Sequence, residues 1–263
     1  MDMQEKFAVV TGASQGLGKS FARQLAAQGR NLVLISLPNE GLPALCEELV
    51  SQYGVVAHCY EIDLSVKENV LAVSKSINEN FSVEMLINNA GIGGTKKFDE
   101  VPAGYVEKII QVNVLATSLL THQLLPNLKL QEKAYILNVS SLAAFSPIGY
   151  KTVYPASKAF IHSFSRGLYQ ELKRTNVFVS VVNPGPMKTN ADTTRRIEEQ
   201  GFFARATSLD PDKVARYCIQ QLQKRDTVIM VNRLSWLLLA ILPIWIKLPM
   251  LTNKIKKEID VMA

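Results

Sequence analysis

Cysteine and histidine are scarce, with three of each in 263 residues. Cys46, Cys59 and Cys218 form no C-x-x-C pair, and a chain this long needs no disulfide staples. That combination predicts a reducing, cytoplasmic setting and no structural zinc or other metal site. A large charge of one sign is missing too. The net charge is +6, and five basic residues with no acid lie between Arg233 and Lys257, so the remainder is close to neutral. Nucleic-acid binding needs a basic face across the domain, and none is expected here. The first residues, Met1-Asp2-Met3-Gln4-Glu5-Lys6, are polar, and only residues 7–10 follow as an apolar run, so no signal peptide is expected. Gly/Ser-rich linkers and internal repeats are also lacking.

What is present is apolar and regular. Apolar residues make up 48% and charged residues 20%, enough to bury a large core and to exclude disorder, collagen and coiled coil. Strand-like runs fall at residues 7–10, 31–35, 55–62, 85–87, 135–139, 177–182 and 228–231. Helix-length segments, such as 18–28 and 154–173, lie between them. Short apolar strands alternating with helices predict an α/β fold, a doubly wound, Rossmann-like parallel sheet in three α/β/α layers. Ser65 and Glu68 read as a capping box, and Asp210-Pro211 as a cap followed by a first-turn proline. One domain over 1–232 is expected, with an apolar and basic extension over 233–263.

The first strand runs into Thr11-Gly12-Ala13-Ser14-Gln15-Gly16-Leu17-Gly18 and then a helix. Glycines here let the backbone turn tightly beside a pyrophosphate, whose charge the helix N-terminus stabilises. The same residues also fit a G-x-S-x-G nucleophile elbow centred on Ser14. That rival lacks an earlier strand and loop for an oxyanion hole, and His58, His122 and His162 have no evident triad partner.

Further along, the strand ending at Val139 leads to Ser140-Ser141, and Tyr154 precedes Lys158 by four positions. On a helix those two share a face. An ammonium beside a phenol lowers its pKa from about 10 towards neutrality, making it an acid/base for a carbonyl or alcohol oxygen. Read alone, such a pair is an ordinary solvated helix face.

The glycine turn, Asn88-Asn89-Ala90-Gly91 after the fourth strand, the serine and the Tyr154/Lys158 pair come in the order and spacing of one family. Over about residues 6–189 the chain resembles the short-chain dehydrogenase/reductases. The resemblance implies a single Rossmann-like domain that binds NAD(H) or NADP(H) and assembles as a homodimer or homotetramer. It also implies a catalytic set of Asn113, Ser141, Tyr154 and Lys158, with Ser141 preferred to Ser140 because it lies thirteen residues before the tyrosine. Asn113 would hold a water in a proton relay, and Lys158 would also bridge to the nicotinamide ribose. Cofactor contacts are implied for Gly12, Ser14, Gln15, Gly16, Leu17 and Gly18 at the pyrophosphate turn, and for Ser36, Asp63 and Leu64 at the adenosine end. Asn89, Ala90 and Gly91 would pass beside the ribose, with Tyr154, Lys158, Pro184, Gly185 and Thr189 at the nicotinamide end.

Cofactor choice is set about twenty residues past the glycines, where an acid binds the ribose 2′-hydroxyl and repels a 2′-phosphate. Here that position is Ser36, followed by Leu37. The missing acid, with Ser36 and Asn39 able to hydrogen-bond a phosphate, favours NADP(H) over NAD(H), although no basic residue stands at Gln15 or Leu37.

Residues 234–251 are the least ordinary stretch: 14 of 18 are apolar, and both tryptophans, Trp236 and Trp245, are inside. Pro243, Lys247 and Pro249 interrupt it, which predicts two short helices kinked at Pro243 rather than a span. A membrane surface met through 234–257, a subunit contact and a pocket wall all fit. The substrate lid is expected at 187–208, with Phe202 and Phe203 against the substrate. The function expected is hydride transfer between NADP(H) or NAD(H) and an apolar carbonyl or alcohol, lipid-like, 3-oxoacyl or steroid-like. A non-catalytic dinucleotide sensor or membrane-docking module is the alternative.

Overall fold

The structure, a computed structural model, describes residues 5–187 and 209–262. Its centre is a sheet of seven parallel strands in the order β3-β2-β1-β4-β5-β6-β7. The strands are β1 (Lys6–Thr11), β2 (Asn31–Ser36), β3 (Ala57–Glu61), β4 (Ser82–Asn88), β5 (Ala134–Val139), β6 (Val177–Val182) and β7 (Val228–Ile229). All seven expected strands are present, and the inner ones are buried on both faces, as their unbroken apolar runs require.

Helices cover both faces. On one side α1 (Gly16–Ala26) and α2 (Leu42–Tyr53) pack their Phe21, Leu25, Leu45 and Leu49 against Ala8, Val10, Leu32 and Leu34. On the other, α3 (Lys67–Asn80), α5 (Thr117–Lys129) and α6 (Val153–Leu172) cover Val9, Val33 and Ile35 with Val73, Ile77, Leu120 and Leu124. A short α4 (Ala103–Ile110) joins α5 through a π-helical turn, Gln111–Ala116. A bulge at the start of β4 skips Glu84 in the register with β1, so Val83 and Met85 face opposite layers although two residues apart. The Glu84 carboxylate pairs with Arg30.

Two expectations about helix ends met different fates. The capping box at Ser65 and Glu68 does not form: α3 starts at Lys67 after an extended Val66, and Asp63 takes the Ser65 N–H at 2.8 Å. The acid two residues earlier reaches that donor first. At α7 (Pro211–Gln223), Asp210 accepts from the Asp212 N–H at 3.0 Å with Pro211 in the first turn. After β7 the chain forms α8 (Arg233–Ile241), breaks around Pro243, and continues as α9 (Ile244–Met262). The break lies where it was expected, but the second helix is long, with Pro249 inside it. No helix among the described residues is long and apolar enough to cross a membrane.

All three cysteines are free, yet two that are distant in sequence meet in space. Burial and the neighbouring Cys59 thiol push Cys46 up to about 12.

Removing the cap of α7 tests this account of local structure. Asp210→Ala is expected to lower unfolding free energy by about 1 kcal/mol in urea titration with an unchanged slope.

Candidate active site

The carboxyl ends of β1 and β4 lie side by side at the centre of the sheet, where the strand order reverses and α/β proteins hold their ligands. Gly12 (φ +63) and Gly16 (φ +53) take left-handed backbone in the turn after β1. A side chain on Gly18 would begin 2.0 Å from the Gly12 carbonyl oxygen and 2.6 Å from Asn89 Nδ2, so only glycine fits. Asn89 Nδ2 donates to the carbonyls of Thr11 (2.9 Å) and Gly12 (3.2 Å). Thr11 Oγ1 in turn accepts from the N–H groups of Asn89 (3.0 Å) and Ala90 (2.9 Å). The extended Gln15 before α1 gives no side-chain cap, and the first turn holds no acid. Its N–H groups are therefore left for an anion, which fits a dinucleotide pyrophosphate.

Leu17 and Leu64 are buried in the two core clusters, so only their backbones can serve a cofactor. Asp63 accepts the Ser65 N–H in the turn before α3, and its carboxylate also lies 4.0 Å from Lys108. Burial pushes this carboxyl up, but the Ser65 donors and the Lys108 ammonium outweigh it and hold it below the usual range.

At the end of β2, Ser36 Oγ donates to Ser14 Oγ at 2.6 Å. Ser14 Oγ and Gln15 Nε2 both donate to one oxygen of Glu40, at 3.2 and 3.0 Å. Asn39, left-handed at φ +63, donates its N–H to Glu61 at 3.0 Å. Two carboxylates thus border the position where no acid was expected. Nothing in the spacing marked Glu40, because its partners lie 25 and 26 residues upstream. Ser14 contacts no histidine in these bonds, and His162 instead meets Asn183 at 3.3 Å, which leaves the nucleophile-elbow reading without a base.

The second half of the site lies where β5 ends and α6 begins. Ser140 Oγ donates to the Lys158 carbonyl at 2.7 Å and serves the helix backbone. The Ser141 hydroxyl favours the ionised form of the Tyr154 phenol, and its Oγ accepts from the Ala143 N–H at 3.1 Å. Lys158 Nζ lies over the Tyr154 ring, 5.9 Å from its centre, and donates to the Val139 carbonyl at 2.9 Å. Asn113, within the π-turn, accepts from Ile92 N (2.8 Å) and donates to Ile92 O and to Ser157 Oγ, both at 2.9 Å. A side chain on Gly91 would begin 3.0 Å from Lys158 Nζ and 3.3 Å from Asn113 Oδ1, so this glycine separates the two. Gly93 was missed in the sequence; a side chain there would begin 2.9 Å from the Tyr154 ring.

The electrostatics differ from the simple expectation. Burial raises the Tyr154 phenol above its ordinary value of 10.0, with the Ser141 hydroxyl opposing in part. The ammonium sits at the ring face and is held by a carbonyl, and burial leaves the phenol on balance less acidic than a free one. Lys158 itself is 5% exposed, and burial lowers it from 10.5 to about 8.

Beside the phenol a narrow cleft is lined by Gly94, Phe98, Tyr105, Ile109, Tyr150 and Tyr154. Tyr150 has φ +63, unusual for an aromatic residue. Pro184 is buried against the same strand ends, its carbonyl accepting from Leu142 N at 3.0 Å, and Gly185 follows it. Thr189, Phe202, Phe203 and the rest of the expected lid beyond Met187 lie outside the described residues.

Residues 6–200 match the short chain dehydrogenase family, and the chain belongs to it. It is 36% identical over 182 residues to a very-long-chain 3-oxoacyl-CoA reductase of Anas platyrhynchos, covering 68% of this chain and 58% of that one. A short-chain dehydrogenase from Sphingobium yanoikuyae in complex with NADPH superposes with a TM-score of 0.78 at 26% identity, over 87% of this chain and 88% of that one. One from Burkholderia phymatum in complex with NAD gives 0.81 at 25% identity, over 92% and 94%. The class of enzyme defined by this family and fold is an oxidoreductase working with a nicotinamide dinucleotide and a carbonyl or alcohol.

The buried cation has a measurable consequence. Folding lowers the Lys158 pKa, so the penalty for burying its charge is full below about pH 8 and vanishes above about pH 10.5. Wild type is expected to gain about 3 kcal/mol relative to Lys158→Met as pH rises through that window. Paired urea titrations check this; parallel pH curves would show that the lysine keeps its ordinary pKa.

Proposed function

We propose that this chain reduces an apolar carbonyl, or oxidises the matching alcohol, with Tyr154 as the proton donor and acceptor. The observation that carries the reading is the Lys158 ammonium over the Tyr154 ring, 5.9 Å from its centre, with the Ser141 hydroxyl favouring the ionised phenol, beside the crevice at the ends of β1 and β4. A nicotinamide ring bound there supplies or removes the hydride. Ser141 holds the substrate oxygen. Tyr154 gives that oxygen a proton in reduction and takes it back in oxidation. Lys158 steadies the charge left on the phenol, and Asn113 holds a water through which the proton returns.

The site residues that support a dinucleotide are Gly12, Gly16 and Gly18 with the free first turn of α1, and Asn89, Ala90 and Gly91 beside them. Pro184, Gly185 and Thr189 are assigned to the nicotinamide end by the family resemblance. Cofactor choice turns on Glu40. The missing acid at Ser36 favours NADP(H), but Glu40 and Glu61 bring negative charge to the same corner, and Glu40 takes the hydroxyl and amide that a 2′-phosphate would use. NAD(H) therefore fits this corner as it stands, and NADP(H) requires Glu40 to swing away. An apolar substrate is supported by the Phe98, Tyr105 and Ile109 lining of the cleft and by the duck relative, a very-long-chain 3-oxoacyl-CoA reductase. A homodimer or homotetramer is supported by the stacked Phe160 and Phe164 rings (5.9 Å) on α6, of which Phe160 is exposed.

Tyr154→Phe is expected to lower kcat roughly 10²–10⁴-fold in NADPH- or NADH-linked reduction of long-chain ketones and 3-oxoacyl thioesters. Dinucleotide affinity, read by fluorescence titration, should stay nearly unchanged. Full turnover in the variant would remove Tyr154 from its role. Glu40→Gln is expected to improve the NADPH-to-NADH ratio of kcat/KM about tenfold, equivalent to roughly 1.4 kcal/mol; an unchanged ratio would free Glu40 of that task.

A further inference from the structure

Six of the described exposed large apolar side chains crowd into one short stretch: Leu237, Ile241, Ile244, Trp245, Ile246 and Met250. Trp245 is 73% and Ile241 69% exposed, so these project from the protein rather than filling its core. Lys254 and Lys256 are exposed one to two turns further along α9, and no acid interrupts the sequence from Arg233 to Lys257. The helices are nevertheless firmly attached. Ile255 is buried, Thr252 Oγ1 accepts from the Gly149 N–H at 3.0 Å, and Lys247 Nζ donates to the carbonyls of Phe145 (3.0 Å) and Leu239 (2.9 Å). Trp236 meets Phe145 edge-on. Phe145 and Gly149 belong to the segment between Ser141 and Tyr154, so the exposed face is fastened to the wall of the site.

We propose that the outer face of α8 and α9 docks on the surface of an anionic membrane, lying within the interface rather than crossing it. Exposed tryptophan and isoleucine enter the headgroup boundary, and the lysines meet lipid phosphates. Charge selects this occupant over a second copy of the chain. A self-complementary contact would set two net-cationic helix pairs against each other, since Glu258 and Asp260 at the end of α9 offset only part of the five basic charges before them, whereas an anionic bilayer neutralises that excess. Given the reductase reading above, the docked face also sets the mouth of the site beside the phase in which an apolar substrate is dissolved.

The test is flotation of the full chain with vesicles of phosphatidylcholine alone or mixed with phosphatidylglycerol. Wild type should float with the mixed vesicles at least about tenfold better than with the neutral ones, and high salt should abolish the difference. Lys254→Gln with Lys256→Gln should weaken that partition by roughly 25-fold, at about fivefold per lysine. Trp245→Glu should abolish it at an unchanged melting temperature. Failure to float, or equal flotation with both lipids, overturns the proposal. So does a dimer in sedimentation that Trp245→Glu converts to a monomer. Flotation by a protein that reduces no carbonyl would overturn the reductase reading and leave the docking in place.

Discussion

The close contact between two strand ends governs the rest of this molecule. Gly18 of α1 rests against the Gly12 carbonyl, and Asn89 at the end of β4 ties that carbonyl and the one before it. No larger residue than glycine can occupy position 18 in that geometry, and no backbone other than a left-handed one carries the chain through Gly12 and Gly16. Thr11 completes the clamp by accepting two N–H groups from the opposite strand end. The first turn of α1 and the segment from Asn89 to Gly91 just after β4 are thereby held at one crevice, and the phenol, the ammonium and Asn113 are arranged around its far side.

Stability is given up at that far side. A lysine is buried beneath a tyrosine ring with a carbonyl as its hydrogen-bond partner, and its charge is costly enough to move its titration towards neutrality. The same burial holds the phenol in its protonated form, ready to donate. Buried charge kept at a cost to the fold is common where proton transfer is needed.

Much of the architecture was legible in the sequence, because the inner strands are unbroken β-branched and aliphatic runs that only a sheet covered on both faces can bury. The glycine turn could be read from local geometry, whereas Asn89, Ser141, Tyr154 and Lys158 were singled out by the order and spacing of the family's motifs. What stayed hidden depends on contacts across loops. Glu40 reaches Ser14 and Gln15 from a different crossing, and Gly93 matters only because Tyr154 arrives there from sixty residues downstream. The capping box failed for the same kind of reason: Asp63, outside the motif, competed for the Ser65 donor. The acidity of the phenol was misjudged because spacing places Lys158 on the right helix face but does not say which part of the ring it meets.

The π-helical turn at Gln111–Ala116 has a consequence for how the chain can change over time. Its wider winding accommodates one residue more than an α-helical turn would, and Asn113 bonds Ile92 and Ser157 from within it. Deleting a single residue there would restore ordinary winding and leave the helix downstream in its present phase. Leu120, Leu124 and Leu128 would keep their places on the sheet, while Asn113, inside the altered turn, would leave Ile92 and Ser157. A change of one residue in chain length is thus absorbed within the turn, so Asn113 can be displaced from its partners at this point without disturbing the core.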